Sequence, residues 1–176
     1  MTAAQQPARP LFGRLNAVLA VVVVALMVGL VVIIATGASG VGGSAKDTVA
    51  GRDYDAVTRA ATDETLAFMA VDYRNMDPLM AKVLAGSTGQ FRQEYQRSSV
   101  QLKSAVSAQQ SISTGKVLSV GISTLDPNSA VVFIAADSQV QNRSTNGKKQ
   151  PRYYRLQMDM SKVKGRWLVA KLQFVG

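Results

Sequence analysis

The chain of 176 residues contains no cysteine and no histidine. The absence of cysteine excludes a disulfide scaffold, and the absence of both residues excludes Cys/His zinc sites and haem ligated by either side chain. Cysteine proteases and Ser-His-Asp catalytic triads are excluded for the same reason. No glycine-rich phosphate loop and no paired-carboxylate motif takes their place. We therefore expect no cofactor, no metal site and no enzymatic activity.

A long apolar run lies near the N-terminus, from Leu15 to Ala35, with Asn16 as its only strongly polar residue. Its length just covers a bilayer core of roughly 30 Å and exceeds the roughly 7–15 apolar residues of a signal peptide. Arg9 and Arg14 precede the run without any acidic residue, so the positive-inside rule places the N-terminus in the cytoplasm. The sequence predicts a protein of the cell membrane with a single uncleaved anchor.

The rest of the chain is long enough for one domain of roughly 100–150 residues. We predict a cytoplasmic tail over 1–14, a transmembrane helix over 15–36, a flexible glycine-rich linker over 37–45 and an extracytoplasmic domain over 46–176.

Hydrophobic periodicity divides this domain into helices followed by strands. From Lys46 to about Gln110 the apolar residues recur at helical spacing, with breaks at Asp72–Asn75 and at Gly86 and an N-cap predicted at Asp77 before Pro78. After Gln110 the spacing changes to two, which indicates strands separated by turns at Asp126–Asn128 and Ser144–Gly147. In the first strand Val117 is expected on one face and Leu118, Val120 and Ile122 on the other. An α+β fold is predicted, with three helices cradled by a curved antiparallel sheet of about four strands.

The last predicted hairpin tests the strand register, because a slip of one residue moves every side chain to the opposite face. A three-residue loop, Val163–Gly165, would place the apolar residues of both strands on one face, and a two-residue loop would scramble them. We therefore predict the three-residue loop. In the last strand the expected inward residues are Leu168, Ala170, Leu172 and Phe174, which leaves Trp167 and Lys171 facing outward.

Four short motifs resemble the actinobacterial Mce-associated membrane proteins: Asp72–Asp77, Thr88–Tyr95, Tyr153–Leu156 and Val163–Val169. The order of anchor, helices and curved sheet also resembles the cone-shaped NTF2-like fold. The resemblance implies a non-enzymatic accessory subunit that stabilises or assembles an Mce-type importer of fatty acids or sterols in the cell envelope. It implies no catalytic residue. Mce transporter subunits are the expected partners.

The positive charge is concentrated in the second half of the domain. Residues 92–176 hold thirteen basic and four acidic residues, whereas residues 37–91 hold five basic and seven acidic ones. Because the domain is predicted outside the cytoplasm, we expect an acidic protein surface or a lipid headgroup rather than nucleic acid as its partner. The predicted interaction face comprises Tyr153, Arg155, Trp167 and Lys171.

Three alternatives stay open at this stage. A VirB8-like scaffold of a secretion or conjugation apparatus would share the anchor and the fold. An enzyme would have to use Glu64, which is the single acid on the apolar face of the first helix, Asp72 with Tyr73, or Tyr154 facing the sheet interior. Glu64 is nevertheless expected in solvent or in an ion pair, and Asp72 is expected to order the following turn. A lipid-binding domain would use a candidate apolar cavity, whose predicted lining is Met80, Tyr154, Met158 and Phe174.

Overall fold

Three helices precede a run of antiparallel strands in the computed structural model, which describes residues 47–175 and the side chains from Asp53 onward. The helices are α1 (Asp47–Met69), α2 (Met76–Gly86) and α3 (Gly89–Gln109). The strands are β1 (Val71–Asp72), β2 (Ile112–Leu125), β3 (Ser129–Gln141), β4 (Gln150–Val163) and β5 (Arg166–Phe174). The predicted α+β class and the three helices are confirmed, and the sheet has five strands because the two residues of β1 pair with β2.

The predicted tail (1–14), transmembrane helix (15–36) and linker (37–45) lie outside the described residues. Within residues 47–175, no helix combines the length and the apolar character that crossing a membrane requires.

The helices cover one face of the sheet with the apolar residues that their periodicity predicted. On α1, Val57 and Ala61 are fully buried, and on α3 Phe91 and Tyr95 are buried. The ring of Phe68 lies between α3 and the sheet, with its centroid 6.0 Å from that of Phe91 and 6.3 Å from that of Phe174. Aromatic side chains therefore make contacts that hold the helices against the sheet.

Helix α2 begins earlier than predicted. Its N-cap is Asn75, and Asp77 lies in the first turn, where its carboxylate pairs with Lys103 of α3 at 2.6 Å. Pro78 fits this first turn because its missing N–H has no intrahelical partner there.

The strands follow one another in the sheet in chain order, from β1 to β5, and every pair is antiparallel. In β3 and β4 the pattern with a period of two holds throughout, so that Ile134 pairs with Leu156 and Val132 with Met158. All four side chains are buried under the helices. The buried face of β4 is therefore the one that the sequence predicted.

The hairpin between β4 and β5 differs from the prediction. Val163 pairs with Arg166, so the loop has two residues, Lys164 and Gly165, and both have positive φ angles of 50° and 78°. Such turns match the right-handed twist of the flanking strands. A bulge then leaves Ala170 unpaired between Val169 and Lys171, which restores the register.

This bulge changes which residues of β5 face the core. Before it, Trp167 and Val169 point inward and are 6% and 0% exposed, and after it Leu172 pairs with the buried Met158. The predicted outward orientation of Trp167 is therefore wrong. The bulge is also where the chain between α2 and α3 meets the sheet, since the N–H of Thr88 donates to the Val169 carbonyl at 2.8 Å.

A bulge in β2 likewise changes which residues of its strand face the core. Val117 pairs with Ala136 and Ser119 with Ala135, so Leu118 is the extra residue. The sequence pattern placed Leu118 on one face with Val120, but Leu118 lies in solvent with 54% of its surface exposed. Val117 and Val120 instead share the inner face.

Candidate functional site

The strongest concentration of charge lies at the end of the β3–β4 hairpin. Residues 142–156 contain five basic residues and no acidic one. All five side chains are exposed, and within residues 53–175 none lies in an ion pair. Beside them Tyr153 is 77% exposed. We call this surface the basic hairpin, and its members are Arg143, Lys148, Lys149, Arg152, Tyr153 and Arg155.

The turn of the basic hairpin is ordered by its own side chains. Asn142 caps a short 3₁₀ helix, Arg143–Thr145, by accepting a hydrogen bond from the Thr145 N–H at 3.0 Å. In return the Thr145 hydroxyl accepts one from the Asn142 N–H at 3.0 Å. Asn146 and Gly147 follow in the left-handed conformation that asparagine and glycine tolerate best. Arg143 is thus presented on a defined turn, and the other four cations follow it in the chain.

A shallow depression of about 360 Å³ adjoins the basic hairpin on the outer face of the sheet. Its floor is lined by small residues, Gly121 and Ala135, and its rim includes Arg155 and the ring of Phe133. Phe133 is 42% exposed although it lies in the middle of β3. We call this region the outer depression.

The structure separates the four predicted interaction residues. Tyr153 and Arg155 lie on the basic hairpin. Lys171 also lies on the outer face, but it is directly opposite the oppositely charged Asp159 in the register. Trp167 lies on the inner face, where the ammonium of Lys162 is 5.4 Å from its ring centroid. Lys162 in turn binds Asp53 at 2.7 Å.

The four residues of the predicted apolar cavity belong to the packed core. Met158 is fully buried, and the ring centroids of Tyr154 and Phe174 are 6.0 Å apart. Met80 packs against the same core from α2. None of these four lines either of the two cavities described here.

Glu64 occupies an environment that its helix position did not predict. Its side chain is only 3% exposed, and neither an ion pair nor a hydrogen bond to Oε1 forms within the described part of the chain. Burial raises the pKa of this carboxyl to about 8, and the nearby charge of Lys82 offsets part of the rise. The expected solvated or ion-paired Glu64 is therefore wrong, and the group is protonated at neutral pH.

Gly86 explains how a carboxyl group fits there. A Cβ atom at this position would collide with Oε2 of Glu64, so the missing side chain at the end of α2 provides the space. Beside the two residues opens a cavity of about 390 Å³, which we call the Glu64 pocket. Its walls come from α1, α2 and the β4–β5 hairpin, and its polar and aromatic lining comprises Arg59, Asp63, Glu64, Lys82, Arg166 and Trp167.

Asp72 has the opposite environment and orders a turn, as predicted. It accepts hydrogen bonds from the Arg74 N–H at 3.0 Å and from the Arg74 guanidinium at 2.6 and 2.8 Å. These bonds from Arg74 lower the pKa of Asp72 to about 2. The guanidinium also lies 5.9 Å from the ring centroid of Tyr73.

Over the described residues, no three carboxylate side chains come close enough to one another to hold a metal ion. The sequence pattern placed Glu64 on the apolar face of α1 but gave no sign of the Glu64 pocket, because its cations come from distant parts of the chain.

Three solved structures show the fold to which this domain is similar. One is an IcmL-like type IV secretion system protein from Legionella pneumophila, with a TM-score of 0.55 and 15% identity over 76% of this chain and 94% of that one. The periplasmic domain of DotI has a TM-score of 0.54 and 11% identity, over 77% of this chain and 99% of that one. VirB8 of Agrobacterium tumefaciens has a TM-score of 0.52 and 13% identity, over 70% of this chain and 92% of that one. At these identities the likeness establishes a VirB8-like and NTF2-like fold.

Relatives by sequence come from Mycobacterium tuberculosis. The uncharacterized protein Rv1363c is 28% identical over 120 residues, which cover 68% of this chain and 46% of that protein. The uncharacterized protein Rv1362c is 29% identical over 121 residues, which cover 66% of this chain and 53% of that protein. The chain thus spans about half the length of these relatives. The predicted link to Mce-associated proteins is not confirmed by them and stays a prediction.

The family model described as "Uncharacterized protein Rv1363c/MT1408-like" matches residues 16–176. This match includes every described element of the fold and both candidate surfaces, and the chain belongs to the Rv1363c/MT1408-like family.

Proposed function

We propose that this protein is a non-enzymatic scaffold subunit that binds an acidic partner protein in the cell envelope through the basic hairpin. The observation that carries the proposal is the group of five exposed cations and Tyr153 at the end of one hairpin, which outnumber the half-buried Asp137 that lies opposite Tyr153 on β3. A patch with an excess of one charge attracts a partner of the opposite charge and orients it on approach.

The composition of the surface favours a protein partner. Arginine and tyrosine are enriched at protein interfaces, where they supply much of the binding energy. The outer depression adds an apolar contact beside them, since an anchor side chain of the partner would lie between Phe133 and Arg155. Cations steer the encounter and the depression holds the bound partner.

Two sets of partners follow from the sequence and the fold. The motif resemblance favours subunits of an Mce-type lipid importer, which the protein would stabilise or assemble. The VirB8-like fold favours a secretion or conjugation apparatus as the alternative, because one of the similar solved structures is named as a type IV secretion system protein. In either case the predicted membrane anchor would raise the effective concentration of the domain near its partners.

Affinity purification of the tagged full chain from gently solubilised membranes distinguishes these partners. We expect Mce transporter subunits to copurify, whereas secretion ATPases would support the alternative. The triple variant Lys148→Glu, Lys149→Glu, Arg152→Glu should lose the partner. A matched control reverses three exposed charges outside the basic hairpin, with Arg97→Glu, Lys116→Glu and Lys164→Glu, and should retain it. Equal recovery by both variants would contradict the proposal.

A further inference from the structure

A buried polar atom in the Glu64 pocket lacks a hydrogen-bond partner. Within residues 53–175, Oε1 of Glu64 has none. The Trp167 ring also lines this pocket, but its indole N–H lies close enough to the Asp53 carboxylate to lower the pKa of that group. Burying a polar group without a partner is unfavourable, and a ligand that supplied an acceptor for the Glu64 carboxyl would recover part of this cost.

The mouth of the pocket carries excess positive charge. Arg59 and Asp63 come from α1, Lys82 from α2 and Arg166 from the β4–β5 hairpin. Three cations therefore face one carboxylate, and Tyr95 of α3 lies near Glu64 from the core side. Burial raises the pKa of Tyr95 to about 12, so this ring stays neutral at physiological pH. The charge around the pocket favours an anion.

The buried carboxyl of the pocket acts as a donor. Glu64 keeps its proton at neutral pH, because its carboxyl is buried and its pKa is about 8, and it then donates through its hydroxyl. A protonated carboxyl facing an anionic oxygen forms a charge-assisted hydrogen bond, which is stronger than a neutral one.

The remaining walls are apolar and small. They consist mainly of alanine and glycine side chains, from Ala56, Ala60 and Ala67 on α1 and from Ala85 and Gly86 on α2. A volume of about 390 Å³ is near the lower end for small-molecule sites, which span roughly 300–1,000 Å³. The space is large enough for a short apolar chain.

We propose that the Glu64 pocket binds a free short-chain monocarboxylate, with the carboxylate between Glu64 and the cations at the mouth and the chain against the alanines. This site is separate from the basic hairpin and does not depend on the scaffold function.

Isothermal titration calorimetry of the full chain in mild detergent tests the proposal with hexanoate as the probe. Saturable binding is expected at about pH 6, where Glu64 is protonated. Affinity should fall at least about tenfold at about pH 9.5, where two carboxylates would face each other. Hexylammonium, which has the same chain and the opposite charge, should not bind.

Variants identify the groups that bind the probe. Glu64→Gln keeps a neutral donor, so it should retain binding at about pH 6 and lose the pH dependence. Glu64→Leu should lose at least about tenfold in affinity. Lys82→Met should weaken binding by about two- to fivefold. Its control, Lys116→Met, removes the same charge from the outer face of the sheet and should change nothing.

Three results would overturn the proposal. They are the absence of saturable hexanoate binding by the wild-type protein, an unchanged pH dependence in Glu64→Gln, and equal weakening by Lys82→Met and Lys116→Met. Each can be read from a folded protein even if Glu64→Leu fails to fold.

Discussion

The basic hairpin and the Glu64 pocket both carry cations, but they differ in what those cations surround. On the hairpin, five cations and an exposed tyrosine lie in solvent on the turn that Asn142 and Thr145 order and on the first residues of β4. In the pocket, three cations frame a carboxyl group that is 3% exposed and has no ion-pair partner within residues 53–175. The two surfaces come from different elements of the same fold.

This difference determines what each region contributes. Exposed charges cost little in the folded state and are available to a large partner. A buried carboxyl lowers stability and is therefore expected where it has a use, such as binding a small ligand. Three predictions separate the regions by their effect on stability.

The largest effect is expected for Glu64→Gln. The pKa of Glu64 is about 8 in the folded protein and 4.5 ordinarily, so between these values the unfolded chain releases a proton that the folded protein keeps. The wild-type protein should have its full stability from this group below about pH 4.5 and lose it as the pH rises towards 8. Glu64→Gln removes this loss, and should be more stable at about pH 8 by on the order of 3 kcal/mol.

Thermal unfolding of both proteins across this pH range measures the difference in stability between them. The control is Asp72→Asn, which removes a carboxylate whose pKa Arg74 lowers to about 2. Asp72 contributes stability that is present above its ordinary pKa and is lost as the pH falls towards 2, so Asp72→Asn should gain nothing at about pH 8. Parallel pH profiles for the wild-type protein and Glu64→Gln would show that Glu64 is not buried.

A smaller effect is expected for Gly86→Ala. The added methyl group meets Oε2 of Glu64, and overpacking of this kind costs about 1–3 kcal/mol. Glu64→Ala should remove most of that cost in the double variant, because the two side chains are in contact. Gly121→Ala is the matched control, since nothing lies within 4 Å of an added Cβ there. Denaturant unfolding measures the four values, and an additive double variant would contradict the contact.

The smallest effect on stability is expected for the basic hairpin. The variant Lys148→Glu, Lys149→Glu, Arg152→Glu changes exposed side chains that form no ion pair within residues 53–175, so each change should stay within about 0.5 kcal/mol. A melting temperature close to that of the wild-type protein would show that any loss of partner binding comes from the surface itself. A large destabilisation would mean that these cations are part of the fold.

The sequence predicted the fold where one pattern holds over the whole strand. In β4, Leu156 and Met158 alternate with Arg155 and Gln157 without interruption, and the structure confirms their faces. The pattern failed for Leu118 and Trp167, because each lies at or before a bulge. A bulge adds one residue to one strand, and nothing in a period of two indicates where this happens.

The candidate sites were predictable to different degrees. The exposure of Tyr153 and Arg155 followed from alternation along a single strand, so it was found. The environment of Glu64 depends on Gly86 and Lys82 of another helix and on Trp167 of a bulged strand. Long-range contacts of this kind leave no trace in local spacing, and only the position of Glu64 on an apolar helix face gave a hint.

Photo-cross-linking from two equally exposed positions tests the scaffold function most directly. A photoreactive residue replaces Tyr153, which is 77% exposed on the basic hairpin, or Val100, which is 74% exposed on α3. In intact cells we expect one envelope protein to be captured from position 153 and not from position 100. Capture of the same protein from both positions, or from position 100 alone, would contradict binding through the basic hairpin.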